Sequence, residues 1–560
     1  MNPTVSRRAV LIVLLVLAVA PYFVGLGDSA IWDANEAFYV ETPREMLERG
    51  DLLNPSFNDQ PRFNKPPLSY WIVAGFYGVF GESVAVERLA IALGAMVLIA
   101  AAFGVGRAAF STDAGLFAAL AVASAPRVVM LARRIFIDVY ITMFMGLTLL
   151  FFVLAERESW RRRRYLTLMY VAMGLGFMTK GPIAIVLPGL IVLVHLALHG
   201  RLRDLRRMML PWGALIVAAI VLPWYIGIFS EHGWLYIRTF FIEENLSRYT
   251  APYGAKVDER GVLFYGPVLL TDLFPWSVFG VAALGLFAWR AWRARDETPG
   301  EAARGRQLPA LLVLWVAIIV GFFSLSQSKQ DLYIFPATTA VAALAGGLIA
   351  RGLDEAHGRW TRWTDGISIA AGLLLVVAGA GVLYLFGSPA RVYAIAGAQA
   401  TGWAAMIAGL IAAGLAFNRR RFAAIVTLAI AAIAVNWIFV LRALPSFTKY
   451  QAVPAMAERI RALAGPDARV GYYKMGLPSL VYYLRRPVFE TFHPDQAVEV
   501  FSSGETYCLM RASDYEALKD ILPTPTCVVE RAPIFDVKVG NVLARQPLPE
   551  LLLVTNRCEP

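Results

Sequence analysis

Residues 135–164 read IFIDVYITMFMGLTLLFFVLAERESWRRRR. The first two thirds of this stretch is apolar with a single carboxylate, Asp138, near its start. The end is a short loop packed with arginine. An apolar run of about 20 residues matches the hydrocarbon thickness of a bilayer, and a short Arg-rich loop beside it marks the cytoplasmic side. Read outward in both directions, the pattern repeats. Apolar runs fall near 9–27, 84–106, 113–130, 135–155, 165–179, 182–199, 209–229, 263–289, 308–325, 331–350, 365–386, 399–417 and 422–442, which predicts about thirteen spans.

Composition agrees. Of 560 residues 58% are hydrophobic and 17% charged, where a soluble chain carries about 25% charged residues. The net charge of +11 does not point to nucleic acid, because the arginines cluster in short loops between apolar runs. With the N-terminus inside, loops 156–164, 200–208, 290–307, 351–364 and 418–421 are cytoplasmic, and they hold the Arg runs. Arg7 and Arg8 precede the first run with no clean cleavage signal after it, so residues 9–27 read as an uncleaved span. Three segments then lie outside: 28–83, 230–262 and the tail from about 445. The tail alternates short apolar runs with amphipathic stretches and reads as a small α/β unit. The expected division is a transmembrane part, 1–444, containing the outer loop 28–83, and an outer domain, 445–560. The three cysteines all lie in that tail. An oxidising compartment would allow Cys508 to pair with Cys527, leaving Cys558 free.

Polar residues interrupt the apolar sequence at one predicted face. The outer loop carries Asp33 and Glu36, spaced i and i+3, which puts both on one face of a helix; Asp33 is equally suited to cap that helix. Lys65 precedes Pro66 and Pro67, so its backbone is extended and stiff. A fixed lysine at a membrane surface suits a phosphate, or snorkels among lipid headgroups. Asp138, Lys180, Glu244, Arg248, Asp272, Lys329 and Tyr333 fall at the same face. Ionisable groups near membrane depth are functional candidates, and their convergence at one face is what an interfacial active site requires.

These residues sit in an ordered series of motifs: Asn35-Glu-Ala-Phe-Tyr39, Arg44-Glu-Met46, Gly50-Asp51, Asn64-Lys-Pro-Pro67 with Tyr70-Trp71, Thr179-Lys-Gly-Pro182, Pro223-Trp-Tyr225, Glu244-Asn245 with Arg248, Pro275-Trp276, and Ser328-Lys329 with Tyr333 and Pro336. The series resembles the GT-C glycosyltransferases of the protein O-mannosyltransferase and aminoarabinose transferase group. The resemblance implies an all-α polytopic membrane protein with a small α/β periplasmic domain, in the bacterial inner membrane, N-terminus cytoplasmic and C-terminus periplasmic. It implies transfer of a sugar, aminoarabinose-like or another pentose or hexose, with inversion. The donor is a polyprenyl-phosphate-linked sugar such as an undecaprenyl phosphate sugar, and the acceptor is lipid A or another envelope glycan. A protein O-mannosyltransferase-like enzyme acting on a hydroxyl is the alternative within the class. A flippase of lipid-linked sugars is the alternative outside it.

The resemblance assigns Lys65, Arg248 and Tyr333 to the donor phosphate. It assigns Asp33, Glu36 and Asp138 to catalysis, and Asn35, Tyr39, Asn64, Lys180, Glu244 and Lys329 to the cavity. A divalent metal is the one cofactor it suggests, with Glu36 as the candidate ligand. The chain departs from the group at Asn35, where an Asp-Glu pair is usual, and at Asn64, where a Glu is usual. An amide cannot act as a general base, so the departures bear on the acceptor: a hydroxyl needs a base, whereas a phosphate is already ionised.

Overall fold

The computed structural model describes residues 3–33, 35–134, 137–250, 260–293, 301–355, 358–387, 393–535 and 546–558. Among these residues eight helices are long and apolar enough to cross a bilayer. They are Val84–Ala109, Ile137–Arg157, Leu210–His232, Gln307–Ser324, Asp331–Asp354, Arg359–Phe386, Ala398–Phe417 and Arg421–Tyr450. A ninth expected run, 113–130, is a pair of helices, Thr112–Ser124 and Pro126–Ala132, bent by 61°. The bend has a local cause: Ala125 is extended at ψ 121°, as a residue before proline tends to be. The remaining expected spans fall on helices that are shorter or more polar: Pro3–Val19, Arg162–Lys180, Ile183–Leu198, and Tyr265–Asp272 with Trp276–Arg293 after it. The run expected at 263–289 is therefore broken, at Leu273–Pro275.

The helices are not equivalent. The most apolar window of Asp331–Asp354 is 89% buried, that of Arg359–Phe386 only 22%. The former is central and the latter lies at the edge of the bundle. Close approach comes from small residues, as is usual where hydrocarbon surrounds the helices. A Cβ at Gly346 would lie 2.2 Å from the Ala114 carbonyl oxygen, and one at Gly409 would lie 2.4 Å from that of Gly372.

Loop 28–83 holds helix Glu36–Arg49, a hairpin of β1 (Ser56–Phe57) and β2 (Gln60–Pro61), and helix Leu68–Phe80. The tail holds β3 (Arg469–Tyr473), β4 (Phe489–Thr491), β5 (Thr506–Arg511), β6 (Cys527–Pro533) and β7 (Glu550–Thr555) in one mixed sheet, order β4-β3-β5-β7-β6. Helices Val453–Leu463, Ser479–Leu484, Pro494–Ser502 and Ala512–Leu518 accompany it. The Cys508–Cys527 pairing that the sequence allows does not form. The disulfide joins Cys527 to Cys558, and Cys508 is a buried thiol. The reason is the strand order: β7 lies between β5, which carries Cys508, and β6, which starts at Cys527.

The tail rests on the first loop. Phe57 of β1 is part of the tail's apolar core. The Asn58 amide donates to the Val488 carbonyl and its oxygen accepts from the Val488 N–H, both at 2.8 Å. The Ile31 N–H donates to the Tyr483 hydroxyl at 2.9 Å.

Candidate functional site

Lys65 owes its position to the two prolines next to it. Pro66 and Pro67 fix the entry to helix Leu68–Phe80, so the lysine's backbone is held on the rim of the loop. Its ammonium donates to the Asn64 carbonyl at 2.9 Å and to Glu244 Oε2 at 3.1 Å. Glu244 Oε1 accepts from the Asn64 amide at 3.2 Å and from the Arg248 guanidinium at 2.7 Å. One carboxylate thus gathers three donors. Burial pushes the Lys65 ammonium down to about 8, against the pull of Glu244 and with the push of Lys180 and Arg248.

Lys180 ends helix Arg162–Lys180 and is paired with Asp138, at the start of Ile137–Arg157. Its ammonium lies 5.7 Å from the centre of the Tyr333 ring. Gly181 comes next, with φ +88°, and a Cβ there would meet the Phe240 ring at 2.6 Å. The glycine therefore lets the π-helical segment Arg238–Ser247, which carries Phe240 and Glu244, close over the end of the Lys180 helix. The loop that precedes Tyr333's helix is tied to the turn after this segment, Arg248–Thr250: the Gln327 N–H donates to the Tyr249 carbonyl at 3.0 Å. Within that loop Lys329 is buried and donates to the Ser326 carbonyl at 2.7 Å. Tyr39 stacks on Tyr70 at 5.4 Å, and Arg62 donates to the Tyr70 hydroxyl at 3.2 Å. Burial, with Tyr70, Asp138 and Glu244 adding to it, holds the Tyr39 phenol well above its usual range.

The structure therefore brings together Lys65, Asn64, Glu244, Arg248, Lys180, Asp138, Tyr333 and Tyr39. Two of the expected catalytic carboxylates are bonded to partners outside this set. The Asp33 carboxylate accepts from the Ser479 N–H at 3.0 Å, at the start of the tail helix Ser479–Leu484. It does not cap the next helix in sequence, which begins at Glu36 after an Asn35 that makes no side-chain cap bond. Burial raises Asp33 to about 6, opposed by its bonds to Ser479. Glu36 is buried against Arg88 at 2.7 Å, and its other oxygen accepts from the Trp32 N–H at 2.8 Å. Arg88 also donates to the carbonyls of Leu26, Ser29 and Ala30. With both its oxygens engaged, Glu36 does not fit a metal ligand. No group of three or more His, Cys, Asp or Glu able to hold a metal occurs among the described residues.

Arg62 and Arg88 are not among the candidates that the sequence singles out, and Tyr70 stands there only as part of a motif, without a role. Arg88 is visible there in outline, a charge just inside an apolar run.

Residues 64–226 match the profile of the dolichyl-phosphate-mannose-protein mannosyltransferase family. The chain resembles the crystal structure of ArnT from Cupriavidus metallidurans bound to undecaprenyl phosphate, with a TM-score of 0.76 at 22% identity over 98% of both chains. It has the ArnT fold. Curated relatives agree with the ArnT likeness. The undecaprenyl phosphate-alpha-4-amino-4-deoxy-L-arabinose arabinosyl transferase 2 of Pseudomonas fluorescens is 30% identical over 66% of this chain. The corresponding transferase of Pseudomonas paraeruginosa is 30% identical over 67%. The chain spans 61% and 65% of these relatives' own length. The resemblance to the protein O-mannosyltransferase and aminoarabinose transferase group, read from the motifs, is borne out, as is the polytopic all-α fold with a smaller sheet-containing C-terminal region.

Proposed function

We infer that the chain is a glycosyltransferase. In this reading it moves a sugar, 4-amino-4-deoxy-L-arabinose by the names of its relatives, from undecaprenyl phosphate to lipid A or another envelope acceptor. The observation that carries this is the meeting of Lys65 and Arg248 on one carboxylate, with Lys180 and Tyr333 alongside. In transfer with inversion, an acceptor oxygen forms a bond to the anomeric carbon from the far side. The bond from that carbon to the donor phosphate oxygen breaks, and its electron pair stays on the phosphate. Charge-assisted donors aimed at that oxygen stabilise it most as the charge develops. Lys65 and Arg248 are such donors, with the Tyr333 phenol beside them.

The acceptor follows from the carboxylates. Asp33 and Glu36 are engaged in structural bonds, and Asn35 and Asn64 are amides. A phosphate acceptor needs no base, so a lipid A phosphate fits better than a hydroxyl. A hydroxyl acceptor would turn to Asp138, beside Lys180. The same reading puts the site at the periplasmic face, with the N-terminus cytoplasmic, the C-terminus periplasmic and the division at 444/445. The Arg-rich loops and the Cys527–Cys558 disulfide support that sense. Mass spectrometry of lipid A and envelope glycans from a strain lacking this gene tests the reading. A pentose-sized mass should be lost from the acceptor and return with the wild-type gene. An unchanged envelope would refute it.

A further inference from the structure

Glu244 is a carboxylate set among the cations read as the donor-phosphate grip. Its neighbour Glu243 is the contrast: half exposed, it pairs at 3.3 Å with an exposed Arg238. Glu244 is 8% exposed in its side chain and uses both oxygens, one for Lys65 and the other for Arg248 and Asn64. A phosphate diester presents the same pattern of two anionic oxygens to cationic donors. We propose that Glu244 is an internal stand-in for the lipid phosphate. It holds Lys65 and Arg248 when no lipid is bound, yields to the donor, and returns after transfer to help expel undecaprenyl phosphate. This rests on the reading of the cluster as the donor-phosphate site.

Two physical facts favour exchange over coexistence. A phosphate reaching Lys65 and Arg248 with Glu244 in place would put two anions side by side in a poorly hydrated corner, which each disfavours. The backbone also supplies a path. Glu244 lies in a ten-residue π-helical segment, Arg238–Ser247, and π-turns are rare and usually single. Relaxing one such turn between Glu244 and Arg248 would rotate one against the other by about 100°. The front of the segment is held by Phe240 against Gly181, and the Asn245 amide, next to Glu244, donates back to the Phe240 carbonyl at 2.6 Å, a bond that the change of register would break. Glu244 lies toward its other end, and Arg248, just past it, is next to Tyr249, whose carbonyl accepts from the Gln327 N–H at 3.0 Å. The trade has a kinetic use: two cations that bind the leaving phosphate well would otherwise hold the product, and release limits many enzymes.

The test uses the full-length protein, with undecaprenyl phosphate as the probe and wild type, Glu244→Gln, Glu244→Asp and Lys65→Ala compared. Removing a charged competitor for two charge-assisted bonds should tighten binding by about tenfold or more in Glu244→Gln. Steady-state turnover should fall while the single-turnover rate stays near wild type, because release and not chemistry is slowed. Glu244→Asp, which keeps the charge on a shorter arm, should fall between and carries the test if the glutamine variant does not fold. Unchanged or weaker binding would overturn the proposal. So would a parallel loss of single-turnover rate, which would make Glu244 a positioning residue for Lys65 and Arg248. Lys65→Ala separates the two levels: if it binds undecaprenyl phosphate as wild type does, the phosphate-site reading itself fails.

Discussion

At the residue scale, the depressed Lys65 ammonium has a consequence in pH. A lysine whose folded value is about 8 is a cation below that pH and loses its charge above it. Affinity for the donor phosphate should therefore fall as pH rises through about 8. Lys65→Arg should bind more weakly but show a flat profile, since a guanidinium stays charged; an equally steep profile in that variant would place the titration elsewhere. Asp33 is shifted in the opposite direction to Lys65. Its value, raised to about 6 by burial, means that its contribution to stability is fullest below its unfolded value near 4 and declines as pH rises through 6. Asp33→Asn keeps an acceptor for the Ser479 N–H without the buried charge. That variant should keep transfer activity and match or exceed wild-type melting temperature at pH 7, the difference closing as pH falls. A large loss of activity would return Asp33 to the catalytic set. The contrast shows what a sequence discloses. Lys65 is legible because its constraint, two prolines, is adjacent. Asp33 is not, because its partner lies 446 residues away and nothing local distinguishes a cap for the next helix from a cap for a distant one.

At the element scale, the spans are legible where apolar length alone decides them, and less so where packing does. The run at 113–130 reads as one span, yet Pro126 bends it by 61°. The polar helix Arg162–Lys180 is carried by its neighbours rather than by its own hydropathy. One link between the first loop and span Val84–Ala109 is the Glu36–Arg88 pair, each partner about 1% exposed. Removing one partner of a buried pair leaves an uncompensated charge and costs roughly 3–5 kcal/mol. Glu36→Gln should lower the melting temperature accordingly while the folded fraction keeps its transfer rate. A stable Glu36→Gln protein without activity would restore a chemical role for this carboxylate.

At the scale of the whole molecule, the site is assembled from pieces distant in sequence: the loop at Lys65, two helix ends at Asp138 and Lys180, the π-helical segment at Glu244, and the start of helix Asp331–Asp354 at Tyr333. Motif order announces which pieces matter; their pairing, above all that Asp138 meets Lys180 and that Glu244 gathers Lys65 and Arg248, requires the fold. The orientation is testable with a reporter fused after Arg421, which should read as cytoplasmic; a periplasmic signal would invert the charge asymmetry on which the topology rests. Peptide mapping without reduction should recover Cys527 linked to Cys558 and Cys508 as a free thiol. The central claim, transfer from a lipid phosphate gripped by Lys65 and Arg248, is tested most directly by one assay. Purified protein is given undecaprenyl phosphate-linked aminoarabinose and lipid A, and both lipids are followed by mass spectrometry. The account predicts that the donor is converted to undecaprenyl phosphate while lipid A gains the sugar, and that folded Lys65→Ala does neither. Intact donor with the wild-type protein, or equal conversion by Lys65→Ala, would contradict it.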